Sequence, residues 1–232
     1  MRDVQAHLSD LRQSHCHEID VGGLFTRNAV VHKWKAPWRL LLLREAASWR
    51  LCELAQQSLD LSRAGSTLGA RILLRSAFET LALLIFSAQS MRSVVSGALS
   101  FNEFSKKTSN LLQGSRDKST PFESINILAA LKVADKRYPG LESWYADLCE
   151  TAHPNFQGMI HGYSTSDPKE YVTQFKSRWT ELYGALHESA LQACLVVFEA
   201  EYNQEWVAAF EALERWIEEN DEELEANRSR DA

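Results

Sequence analysis

TLGARILLRSAFETLALLIFSAQS, residues 67–90, is the stretch on which the fold turns. It is apolar nearly all round, and its three ionisable groups, Arg71, Arg75 and Glu79, recur every four residues. That spacing puts them on one face of a helix, and a helix apolar on its remaining faces belongs in the middle of a bundle. Its greasiest part, 77–88, falls short of the ~20 apolar residues a membrane span needs and contains Glu79. The segment is therefore expected as a buried core helix, with no membrane partner.

Helical patterns extend outward on both sides. Gly65-Ser66 separates this helix from one that starts at Pro37, a residue suited to a first turn because it has no amide hydrogen to satisfy, and runs through Trp38, Leu41, Glu45 and Trp49 to about Arg63. An amphipathic helix over about 3–19 precedes Val21-Gly22-Gly23. Downstream, a helix is predicted over 92–112, then a polar loop at 114–119. Thr120-Pro121-Phe122-Glu123 reads as cap, first-turn proline and capping-box acid, predicting a helix over 121–137. Pro139-Gly140 precedes a short helix over 141–152, and residues 153–167, with Pro154, Gly158 and Gly162, form an irregular excursion. Asp167-Pro168-Lys169-Glu170 repeats the cap pattern and predicts a long helix to about Tyr202. A last helix, 204–225, carries Trp206, Phe210, Leu213 and Ile217 on one stripe.

No period-2 alternation or Asn-Gly hairpin signal stands out. The expected architecture is all-α: one domain, 1–232, a bundle of six to eight helices. Residues 1–34 form a peripheral N-terminal segment, and 204–232 an acidic C-terminal helix and tail.

Composition agrees. The 232 residues are 45% apolar with 10 Gly and 5 Pro, which excludes collagen-like, low-complexity and disordered chains. A chain this long buries roughly 70% of its unfolded surface and needs no staple. The four cysteines, Cys16, Cys52, Cys149 and Cys194, lie far apart, as in a reducing compartment. The polar start at Met1-Arg2-Asp3 is unlike a secretory signal, so a cytoplasmic location is expected. The net charge of −6 hides an asymmetry: from Glu199 onward twelve acids face three bases, while the preceding residues carry a small positive excess.

Three groups of residues invite a chemical reading. Arg71, Arg75 and Glu79 either pair or reach a surface, because an unpaired buried charge costs several kcal/mol; a structural ion pair binding this helix to a neighbour is one reading. Glu150, His153, Asn155 and His161, with Tyr145 and Cys149 nearby, supply two imidazoles, a carboxylate and an amide at a helix end, suitable for moving protons near neutral pH; a helix cap and a turn are the alternative. Glu150-x-x-His153 is half of a di-iron bundle motif, but no second copy occurs. His15-Cys16-His17-Glu18 offers ligand types whose adjacent side chains diverge on a helix, so no metal or other cofactor is expected. The third group, Lys33, Trp34, Lys35 and Arg39, mixes phosphate-neutralising cations with a ring able to stack on an unpaired base, a pattern suited to RNA or single-stranded DNA. Phosphate-binding loops, Gly-x-Ser-x-Gly elbows, His-Glu-x-x-His and dinucleotide fingerprints are absent from the sequence, which argues against those enzyme classes.

Arg75-x-x-x-Glu79 on an apolar helix, followed by Tyr145-x-x-Leu148-x-Glu150-x-x-His153-Pro154-Asn155, resembles an uncharacterised bacterial all-helical family similar to the HEPN superfamily. Many HEPN proteins are dimeric RNA-cleaving toxins or antiviral effectors. The resemblance covers roughly residues 38–200. It implies a homodimer, an RNA substrate, an antitoxin-like partner protein and metal-independent cleavage in a toxin or phage-defence setting. His161 takes the place of the HEPN histidine, but Asn155 or Phe156 stands where the motif has arginine, leaving Arg75 to supply the cation from another helix. In that scheme His153 or His161 is the general base and Arg75 stabilises the phosphorane. The competing expectation is a noncatalytic binding or dimerisation module in which Arg75/Glu79 and Glu150/His153 are structural.

Overall fold

The computed structural model describes residues 3–228. Among them the chain is overwhelmingly helical: α1 Val4–Gln13, α2 Val21–Arg27, α3 Ala29–His32, α4 Lys35–Arg63, α5 Thr67–Val95, α6 Phe101–Gln113, α7 Ile127–Arg137, α8 Leu141–Ala152, α9 Ala185–Ala200, α10 Trp206–Glu219 and α11 Asp221–Ala226. Eight of these eleven have ten or more residues; α2, α3 and α11 are short. A six-residue π-turn, Phe156–His161, and a hairpin of β1 Ser164–Asp167 and β2 Val172–Phe175 lie between α8 and α9. No helix among the described residues is long and apolar enough to cross a membrane.

α5 is the axis of the bundle, as its sequence demands. Leu74, Ala77, Phe78, Leu81, Leu84, Ala88 and Met91 are buried, and α4, α6, α7, α8, α9 and α10 all pack against it. The α4–α5 pair is the most extensive, closed by a turn in which Gly65 takes φ +75°, a conformation open to glycine. One apolar core runs from Val4 and Leu8 to Leu213 and Ile217. The segment expected to be peripheral, 1–34, contributes Val4, Leu8, Val31 and Trp34 to it. The acidic C-terminal helix breaks at Asn220, and residues 229–232 of the expected tail lie outside the described residues.

Several boundaries differ from the sequence reading. The first helix stops at Gln13 because Ser14 turns its hydroxyl onto the Leu11 carbonyl and the chain then lies across α4, where His15 stacks on Trp49 and the Trp49 indole donates to the Cys16 carbonyl. α6 starts at Phe101, not 92; Ser100 and Glu103 form a reciprocal capping box there. The Thr120-Pro121 signal launches no helix. The Thr120 hydroxyl instead donates to the Gln113 carbonyl and closes a loop, and Asn126 caps α7 by accepting from the Leu128 amide.

Asp167-Pro168 likewise makes a turn rather than a helix. The Asp167 carboxylate accepts from the amides of Lys169 and Glu170, and β1 and β2 pair antiparallel with Ser164 opposite Phe175. Asp and Pro serve helix starts and tight turns equally well. The long helix begins only near Trp179 and then continues through π-turns at Thr180–Gly184 and Glu201–Glu205 into α10. The second π-turn directs both Glu201 and Tyr202 into the interior.

Candidate functional site

The ionisable face of α5 points at α8. Arg71 is nearly buried: its Nε donates to Thr151 Oγ1 at 3.0 Å, its Nη2 reaches Asp147 Oδ2 at 2.6 Å, and its guanidinium lies 4.3 Å from the Tyr183 ring centre. One turn on, Arg75 donates from Nε to Cys149 Sγ (3.1 Å) and from Nη2 to Tyr145 Oη (3.1 Å), and pairs with Glu79 Oε1 at 3.2 Å. Tyr145 closes the ring by donating its hydroxyl to the same Glu79 oxygen at 2.8 Å. Burial, reinforced by Cys149 and Glu79, raises the pKa of the Tyr145 phenol, so it remains a donor. The three groups whose periodicity marked α5 thus bind one helix to its neighbour through a satisfied network.

The excursion after α8 holds the remaining candidates. Glu150 faces Asn155 rather than His153: Asn155 Nδ2 donates to Glu150 Oε1 at 2.6 Å while its Oδ1 accepts from the Gly158 amide at 2.9 Å. Asn155 therefore caps the π-turn. His153 is exposed at the helix end, where its backbone carbonyl accepts from the Asn155 amide. His161 is half-buried, stacked 6.0 Å from the Phe156 ring, with its carbonyl held by Arg178 Nη1. No hydrogen bond or ion pair among the described residues joins Arg75 to either histidine; its partners are Cys149, Tyr145 and Glu79. No three His, Cys, Asp or Glu side chains converge in the manner of a metal-binding group among the described residues.

Backbone packing makes the excursion specific. A Cβ on Gly158 would fall 1.9 Å from the His153 carbonyl oxygen, and one on Gly162 would strike the Trp179 ring at 2.6 Å. Gly158→Ala is expected to destabilise the protein by about 1–3 kcal/mol through this clash and to increase amide exchange across 153–163 relative to the wild type; unchanged exchange would contradict the packing. The same excursion leaves Phe156, Met159, Ile160, Tyr171 and Phe175 at least half exposed, an apolar surface that the sequence did not identify.

The nucleic-acid patch read from the sequence does not assemble. Trp34 is 1% exposed and packs edge-on against Phe101, so it cannot stack on a base. Arg39 is buried and donates to the backbone and hydroxyl oxygens of Ser105. Lys33 pairs with Asp221 at 2.7 Å and Glu225 at 2.8 Å, joining the acidic C-terminal helix to the start of α4. Lys35 alone of the four is exposed. The Trp-Lys spacing suits a helix entry that buries its ring just as well as one that displays it.

No family model matches the chain, and neither curated proteins nor solved structures provide a match.

Proposed function

We propose that the protein is a noncatalytic, HEPN-like helical binding module that works in the cytoplasm as a homodimer. The observation that supports this reading is the network between α5 and α8: Arg75, Glu79 and Tyr145 bind one another, and neither His153 nor His161 is joined to Arg75 among the described residues. The apolar surface of the excursion is the face such a module offers to a second copy of the chain. The exposure of His153 favours the competing reading, a metal-independent RNA-cleaving toxin or antiviral effector.

One experiment separates the two. The purified protein and its His153→Ala and His161→Ala variants are incubated with a panel of RNA and single-stranded DNA, with and without EDTA, while Arg75→Ala is melted beside the wild type. The module reading expects no cleavage and a loss of about 2 kcal/mol in Arg75→Ala, the cost of leaving part-buried partners unsatisfied. EDTA-resistant RNA cleavage that disappears in either histidine variant would overturn it.

A further inference from the structure

A cleft of about 430 Å³ opens between α4, α5, the end of α6 and the loop that follows it. Three guanidinium groups line it: Arg50 from α4, Arg75 from α5 and Arg116 from the loop. Glu79 is the one carboxylate in the lining, and it is already committed to Arg75 and Tyr145. Arg50 and Arg116 have no acidic partner among the described residues, and the hydrogen bonds of Arg75 occupy Nε and Nη2 but not Nη1.

The loop carrying Arg116 is built rather than slack. The Ser115 amide donates to the Phe122 carbonyl at 3.0 Å, and Thr120 ties it to both Gln113 and Ser115. Gly114 permits its close return: a Cβ there would sit 2.3 Å from the Asn110 carbonyl and 2.6 Å from that of Glu123. Compact loops fixed by their own contacts in this way are frequently functional. This one presents its arginine to two others across the cleft, and like charges gathered around one space favour an anion between them.

We propose that this cleft binds a phosphate dianion, held by Arg50, Arg116 and the free Nη1 of Arg75. Three guanidiniums against one carboxylate leave an excess of two positive charges, which matches the ≈ −1.5 to −2 carried by a phosphate monoester near pH 7. Planar guanidinium forks fit phosphate oxygens better than ammonium groups do. The volume is at the small end of the range for ligand sites, roughly 300–1,000 Å³, which suits free phosphate or a small organic phosphate whose apolar part rests on Leu83 and Ile127. The inference rests on the binding-module reading and names the class of its ligand.

Titration calorimetry at low ionic strength, with inorganic phosphate, adenosine monophosphate and adenosine as probes, tests it on the wild type, Arg50→Ala and Arg116→Ala. Both arginines are exposed and outside the α5–α8 network, so the variants should melt with the wild type. Phosphate and the nucleotide are expected to bind, with adenosine silent, and each substitution should weaken binding roughly tenfold to a hundredfold, as loss of a charged hydrogen bond does. Equal affinity for the two anions assigns the site to free phosphate, and tighter nucleotide binding assigns it to an organic phosphate. Absence of binding by both anions at millimolar concentration, or binding unchanged in both variants, would overturn the proposal while leaving the cleavage assay to decide the module reading by itself.

Discussion

Arg137→Ala is expected to lower the unfolding free energy by about 3 kcal/mol, the low end of the cost of stripping one partner from a buried ion pair. Glu201 is wholly buried on the π-turn between α9 and α10, and its Oε1 accepts from Arg137 Nε at 2.5 Å and from Tyr138 Oη at 2.8 Å. Arg137 also pairs with Glu205, which in turn accepts from Arg92 of α5. The network joins α5, α7 and the long C-terminal helix. Burial and the neighbouring Glu201 push the Tyr138 phenol up to about 12, which keeps it a donor and moderates the loss. Denaturant melts should show the full deficit in Arg137→Ala and recovery of more than half of it in Arg137→Ala/Glu201→Gln, because the double variant no longer strands a buried carboxylate. Equal deficits in the two would mean that the network contributes little beyond packing.

The second large effect is acid lability centred on His187. The residue is 1% exposed on α9, its Nε2 lies 2.9 Å from Ser58 Oγ, and burial, assisted by the Arg71 charge, pulls its pKa down to about 4 from 6.5. Below pH 6.5 the unfolded chain therefore takes up a proton that the folded chain refuses. The stabilisation is complete above pH 6.5 and is lost as the pH falls toward 4, about 3 kcal/mol over that window. Burial also lowers the pKa values of His15 and His32, which act in the same direction. In His187→Gln the amide can still meet Ser58 but cannot titrate, so the variant's stability curve between pH 7 and pH 4 should be flatter than the wild type's by about that amount. Parallel curves would show that acid unfolding begins elsewhere.

Neither Glu201 nor His187 is marked out by any motif or periodicity in the sequence. Glu201 reads as one more acid in an acidic C-terminal third, and the π-turn that rotates it inward has no sequence marker. His187 sits among Leu186, Glu188 and Ser189 with no motif around it. The capping-box spacing Ser100-x-x-Glu103 was available in the chain and would have corrected the start of α6. By contrast, the Thr120-Pro121 and Asp167-Pro168 signals were present but ambiguous, since the same side chains cap helices and close turns.

What the sequence determined by itself is the helical class and its organiser. A 29-residue α5 that is apolar around most of its circumference has to be surrounded by other helices, and its four-residue ladder of Arg71, Arg75 and Glu79 has to find polar partners on one of them. The four-residue periodicity is local, so it survives without knowledge of the rest of the chain. Which partners those are was a tertiary decision. α8 brings Tyr145, Cys149, Asp147 and Thr151 to that ladder, so that its charged groups tie one helix to the other, while His153 and His161 lie beyond the end of α8, at its cap and in the excursion. Trp34 and Arg39 were claimed by the core for the same reason: composition lists what a segment contains, and only packing decides which side of it faces water. The arginine cleft belongs wholly to this second kind of information, because Arg50, Arg75 and Arg116 come from three elements whose proximity arises only when the bundle closes around α5.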